Sequence, residues 1–186
     1  MRRNKDFISY TQFAFSATEL RKLLAACSHM EDYIMILLAS RYGFRRDDVV
    51  KIMRNNIDLV NGTITYHEKK KAKDRTIPIE PDVITELKRY INTLPATQQY
   101  LFPFQDGTTA WRHLQELCKT AGIPVPQGRE GRPFHSLRGT CVKMRQAQGW
   151  NLNEVAALIG DDPETVALHY ATVTTSELAT KMAGNT

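Results

Sequence analysis

Five residues stand in a fixed order along this chain: Arg45 in a Gly-Phe-Arg turn, Lys70 in a lysine-rich stretch, His135 and Arg138 as His-Ser-Leu-Arg, and Tyr170 near the C-terminus. Their side chains suit chemistry at a phosphate. Two guanidinium groups can grip non-bridging phosphate oxygens through paired N–H donors. A lysine and a histidine can move protons, and a tyrosine hydroxyl can attack phosphorus. Each member also has an ordinary reading when taken alone. Arg45 could neutralise Asp47 or Asp48 on a helix end, Lys70 could sit in a solvated basic hairpin, and Tyr170 could pack on Val166 one turn earlier. The order and spacing of the whole set carry the argument.

Periodicity indicates the elements that must position these groups. Helix signals begin at residues 16–18, where Thr18 and Glu19 precede Leu20, Leu23 and Leu24. Residues 31–42 read as a more deeply buried helix ended by Gly43, so Arg45 falls in the turn that follows. Asp47 or Asp48 can cap a short helix reaching Met53. Residues 57–67 have strand character around Asn61-Gly62, a hairpin turn signal. A third strand, 75–79, is reached through the lysines, and Pro78 makes it an edge strand or the end of one. Helical patterns then cover 81–94, 108–121, 135–148, 152–159 and 163–171, with a weakly patterned tail at 176–182; residues 122–133 form the longest loop. In the helix 135–148, His135 and Arg138 share one face while Leu137, Cys141 and Met144 gather on another. Asp162, Pro163 and Glu164 open the helix that places Tyr170 near its end.

Composition bounds the partners. The chain has 186 residues, 42% of them hydrophobic, enough for one domain with a sizeable core. We read that domain as residues 16–186, with a tail from about 173, preceded by an entry arm or linker at 1–15. Lysine and arginine number 25 against 20 acidic residues, a formal charge of +5, which favours a polyanionic partner. The basic residues cluster: Lys69, Lys70, Lys71, Lys73 and Arg75 in one group, Arg129, Arg132, Arg138, Lys143 and Arg145 in another. The three cysteines, Cys27, Cys118 and Cys141, are far apart and lie in apolar helical patterns, which suggests neither a disulfide framework nor a zinc site. The apolar run at 33–39 is too short to span a bilayer, and no secretory core follows Arg2, Arg3 and Lys5. A cytoplasmic protein with no membrane partner is expected. No Gly-rich phosphate loop and no metal-ligand cluster is present in the sequence, so no cofactor is expected.

These boxes resemble the catalytic domain of the tyrosine recombinases, the phage integrase family, over residues 16–173. Gly43-Phe44-Arg45-Arg46-Asp47-Asp48 is similar to the family's first box, which makes Arg45 the first phosphate clamp and Asp48 its support. Lys69-Lys70-Lys71-Ala72-Lys73-Asp74-Arg75-Thr76-Ile77-Pro78 is similar to the strand-turn-strand box, commonly Lys-Thr-Gly-Lys followed by Arg, an aliphatic residue and Pro. That alignment makes Lys70 the lysine that protonates the leaving 5′ oxygen, with a slip of one residue left open by the three consecutive lysines. His135-Ser136-Leu137-Arg138 supplies the second clamp, Arg138, and a proton-relay or hydrogen-bonding histidine. Tyr170, ten residues after Gly160, takes the nucleophile's place. The resemblance implies an α+β fold, mostly helical with a small three-stranded antiparallel sheet. It implies site-specific cutting and rejoining of double-stranded DNA through a 3′-phosphotyrosyl intermediate, without metal or cofactor. It further implies a homotetramer on DNA, from a chain expected to be a monomer in solution. Lys69, Lys71, Lys73, Arg75, Arg132 and Arg145 are the expected DNA contacts.

One position departs from the pattern. The family has histidine, sometimes tryptophan, after the glycine of its Leu-Gly-His box, and here Asp161 follows Gly160. Ionised aspartate only accepts hydrogen bonds and repels phosphate. Asp161 could point away, orient a neighbouring arginine, or weaken the site, and slower cleavage is the expectation. Two rival functions remain open here. A type IB topoisomerase uses a similar set of residues, and a DNA-binding regulator with a weakened site would tolerate Asp161.

Overall fold

The computed structural model of the chain describes residues 14–69, 71–125, 133–170 and 175–183. Helix α1 (Ala17–Ala25) is capped by Ser16, two residues before the expected Thr18: the Ser16 hydroxyl accepts the Glu19 N–H at 3.2 Å, and the Glu19 carboxylate accepts the Ser16 N–H at 2.8 Å. This reciprocal cap satisfies two donors that a helix start would leave open. Helix α2 (Met30–Tyr42) carries its charges only at its ends, and every residue from Ile34 to Ser40 is buried. A helix whose middle has no wet face must be central, and helices before and after it in the chain pack against it. Each such Leu or Ile contributes about 1.5–3 kcal/mol through burial. The helix stops at Gly43, whose left-handed backbone (φ 65°) turns the chain toward Arg45.

After helix α3 (Arg46–Val49) and a tight turn at Arg54–Asn56 come three antiparallel strands: β1 (Ile57–Asp58), β2 (Thr63–Glu68) and β3 (Lys73–Pro78). Neither Asp47 nor Asp48 caps α3; Arg45 stands at its N-cap position, and Asp48 is inside the helix. β2 is central, with Ile64 opposite both Ile57 and Ile77 and Glu68 opposite Lys73. β3 starts two residues earlier than the expected strand, so Lys73 and Asp74 pair in the ladder rather than forming a connection. Ile64, Tyr66 and Glu68 point inward from alternate positions of β2. Residue 72, where the resemblance has glycine, is an alanine held at φ 48°.

Helices α4 (Pro81–Ile91), α5 (Gly107–Thr120), α6 (Pro133–Ala147), α7 (Leu152–Ile159), α8 (Pro163–Tyr170) and α9 (Thr175–Ala183) complete the described chain. α6 lies along α2 and buries Leu137 and Cys141 as its apolar spacing requires. The core reaches back to Phe15, which is buried and whose N–H donates to Thr140 Oγ1 at 2.8 Å. Residue 15 therefore belongs to the packed domain; residues 1–13 of the expected arm lie outside the described residues. Among the described residues no helix is long and apolar enough to cross a membrane.

Candidate active site

Packing around the Gly43 turn places Arg45. Phe44 is buried between Tyr42 and Tyr66, with ring centroids at 6.3 and 4.6 Å, so the turn is pinned to β2. A Cβ on Gly43 would come 2.7 Å from the Ile159 side chain, so the site demands glycine for space as well as for backbone angle. Arg45 then extends into a cage of carboxylates. Its Nη1 donates to Glu68 Oε1 at 2.5 Å and lies 3.9 Å from Asp48 Oδ2, while Nη2 donates to Asp161 Oδ1 at 2.7 Å.

Arg138 approaches the same point from α6 and is 2% exposed. Its Nη1 donates to the carbonyls of Gly43 (2.5 Å) and Ile159 (2.8 Å), the ends of α2 and α7, where helix carbonyls lack partners of their own. Its Nη2 donates to Asp161 Oδ2 at 2.6 Å. The Asp161 carboxylate thus lies between the two arginines, one oxygen on each. It does not point away from the site.

A third guanidinium, Arg75, comes in from β3. It donates to the Tyr66 hydroxyl at 2.8 Å and to the Ala157 carbonyl, and its Nε lies 3.9 Å from Glu68 Oε2. Gly160 (φ 75°) leaves room for it, since a Cβ there would collide with the Arg75 guanidinium. Glu68 is fully buried, and its Oε2 makes no hydrogen bond. Among the described residues, three arginines (45, 75, 138) thus face three carboxylates (48, 68, 161). Asp48 is held above the ordinary carboxylate range by burial, against the opposing pull of the Lys69 N–H and Arg45.

The remaining expected residues surround this cluster. His135 is half-buried one turn before Arg138 on α6. Tyr170 is the last residue of α8, on the segment that Asp161 precedes; its side chain lies outside what is described. Lys70 and Arg132 also lie outside the described residues. Lys69 and Lys73 are exposed, and Lys69 ties its N–H to Asp48 Oδ1. Lys71 Nζ reaches within 3.7 Å of Asp162 Oδ1, beside the site. Arg145 is placed elsewhere: it is 4% exposed and bonded to Glu80, Gln148 and the Arg41 carbonyl. Sequence reasoning passed over Glu68, although it shares strand parity with the inward Ile64 and Tyr66.

The phage integrase family model matches residues 14–177 of this chain. Tyrosine recombinase XerA of Pyrococcus furiosus is 26% identical over 170 residues, 86% of this chain and 57% of that protein. The chain spans about half the length of the curated relatives it matches. Among solved structures, a crystal structure of XerA recombinase superposes with a TM-score of 0.77 at 20% identity, covering 92% of this chain and 63% of that one. The catalytic domain of bacteriophage HP1 integrase gives 0.66 at 20% identity, covering 91% and 93%. These structures share the fold described above.

Proposed function

This chain belongs to the phage integrase family, and from that premise we propose that it is the catalytic part of a site-specific DNA recombinase. The observation that carries the reading is the convergence of Arg45 and Arg138 on one anion position, reached from a helix-ending turn and from α6. In the proposed reaction the two guanidiniums hold the non-bridging oxygens of one DNA phosphate and neutralise the charge that builds there. The Tyr170 hydroxyl passes its proton to solvent, directly or through His135, and its oxygen attacks phosphorus. The P–O5′ bond breaks, and Lys70 gives a proton to the leaving 5′ oxygen. His135, one turn from Arg138, holds a phosphate oxygen or relays a proton. A 3′-phosphotyrosyl bond results, and a 5′ hydroxyl of a second strand reverses the step. The phosphodiester bond energy is kept in the covalent intermediate.

Double-stranded DNA is the proposed partner, with Lys69, Lys71 and Lys73 supplying sequence-independent phosphate contacts. Two solved relatives point the same way: one structure is of XerH bound to its difH substrate, and another is of a lambda integrase tetramer bound to a Holliday junction. By analogy we propose a tetramer on DNA, with the exposed Leu178 and Met182 of α9 as contacts for a neighbour. Neither the family match nor these neighbours favours the topoisomerase alternative. Arg145 is left out of the proposed interface because its charge is already engaged inside the domain.

A nicked suicide duplex carrying the cognate site tests the reading. A covalent protein–DNA adduct is expected, and it must disappear in Tyr170→Phe. A second reading, a DNA-binding regulator that no longer cuts, draws on the Asp161 carboxylate between the arginines. Retarded DNA with no adduct would favour it.

A further inference from the structure

We infer that Asp161 is a resident anion in the phosphate clamp, so that the chain folds with its own site occupied and a DNA phosphate must displace the carboxylate to bind. The inference rests on reading Arg45 and Arg138 as that clamp. A carboxylate and a phosphodiester both present two anionic oxygens on one centre to guanidinium forks. Asp161 presents one oxygen to each arginine, at 2.7 and 2.6 Å, which is the pattern a bound phosphate would make.

Three further features separate an occupant from a mere support. First, the arginines are oriented without it: Arg138 is fixed by the carbonyls of Gly43 and Ile159, and Arg45 by Glu68. Second, Asp161 is the carboxylate that both arginines hold, so its presence sets a negative charge against the incoming anion and its departure removes that charge from the clamp. These side chains are 16% (Arg45), 7% (Asp161) and 2% (Arg138) exposed, so water screens the competition little. Third, the backbone under Asp161 is anchored, with its N–H donating to the Ala156 carbonyl at 3.1 Å. Rotation about the side-chain bonds is enough to free the carboxylate. The same turn opens α8, which ends on Tyr170, so the gate and the proposed nucleophile share one short segment.

Inorganic sulfate is the probe, titrated calorimetrically into wild type, Asp161→Asn and Asp161→His. Asparagine keeps the shape, removes the charge and adds a donor. Both variants are expected to bind sulfate at least about tenfold more tightly than wild type, and to form the suicide-duplex adduct faster. Sulfate affinity unchanged or weakened in both folded variants would overturn the inference. Loss of the native thermal transition in both would overturn it too, because Asp161 would then be a structural strut. Sulfate binding needs no tyrosine: tighter sulfate with no adduct in any variant would sink the recombinase reading and leave this one standing. The reverse pattern, adducts at wild-type rate with no gain in sulfate affinity, would do the opposite.

Discussion

Arg138 and Arg145 lie two turns apart on α6, each almost wholly buried and each bonded to backbone carbonyl oxygen at the end of α2 and to a carboxylate. Their partners differ in kind. Glu80 precedes α4 and also faces Arg41 at 3.6 Å, and the Trp150 ring covers the Arg145 guanidinium at 4.9 Å. Burial works against the Arg145 charge, yet the hydrogen bond and field of Glu80 outweigh it and hold its pKa above the ordinary value. Asp161 sits on a three-residue turn and gives a separate oxygen to each of two guanidiniums, those of Arg45 and Arg138, whereas Arg41 hydrogen-bonds Asp82 and only faces the Glu80 oxygen that Arg145 already holds. Burial and an ion pair therefore do not mark an arginine as functional. The proposed clamp rests instead on two guanidiniums bonded to separate oxygens of one carboxylate.

The largest effects should separate the two residues by kind. Arg138→Ala is expected to slow adduct formation by about 10²- to 10³-fold, the usual cost of removing one transition-state donor, measured by single-turnover assay on the suicide duplex. Arg145→Met keeps most of the volume and removes the charge. Its expected effect is on stability, a loss of about 2–3 kcal/mol in urea unfolding, at the low end for a broken buried pair because Glu80 is partly exposed and can rehydrate. Adduct formation by the folded variant should stay within about threefold of wild type. A collapse of chemistry in Arg145→Met with the fold intact would break the comparison.

A smaller effect comes from the turn between β2 and β3. Ala72 holds a left-handed backbone that an L side chain strains to adopt. Ala72→Gly should raise stability by up to about 1 kcal/mol, the gain from relieved strain being reduced by the entropy of glycine in the unfolded chain. Arg75, three residues on, should keep its place, so the sulfate affinity of the clamp should not move. A change there would mean that the turn, and not the helices, sets the guanidinium positions.

These contrasts also locate what the sequence could disclose. The His135 and Arg138 face, the Gly43 stop and the Asn61-Gly62 hairpin are local in origin, so period and turn chemistry were enough to read them. Charge alone points to Arg145 as a DNA contact, although helical spacing puts it four residues from buried Cys141 and seven from Arg138. Arg75 and Glu68 share strand parity with the inward Ile77 and Ile64, a signal that strand alternation carries and that charge obscured. The resemblance puts Asp161 at the site and allows it to orient an arginine, but no pattern along the chain announces that it joins Arg45 to Arg138, or that Glu80 meets Arg145. Those partners lie 116, 23 and 65 positions apart, and only the packing of α2, α6 and α7 brings them together.

Cys141 probes the ground between the two arginines. It lies on α6 three residues after Arg138 and four before Arg145, with Sγ donating to the Arg41 carbonyl at 3.2 Å. Burial pushes its thiol up to about 12, although both guanidiniums pull it down. The folded state thus prefers the protonated thiol. That preference contributes fully below the unfolded thiol value of about 8.5, and is lost as pH rises from there toward about 12. In pulsed iodoacetamide labelling read by peptide mass mapping, Cys141 should stay unmodified through about pH 9 while the fold persists, and react once urea unfolds the chain. Labelling of the native protein near pH 8 at the rate of a free thiol would show water reaching the space between the arginines. An anion could then approach Arg145 much as it approaches Arg138, and the distinction between a sealed guanidinium and a clamping one would fail.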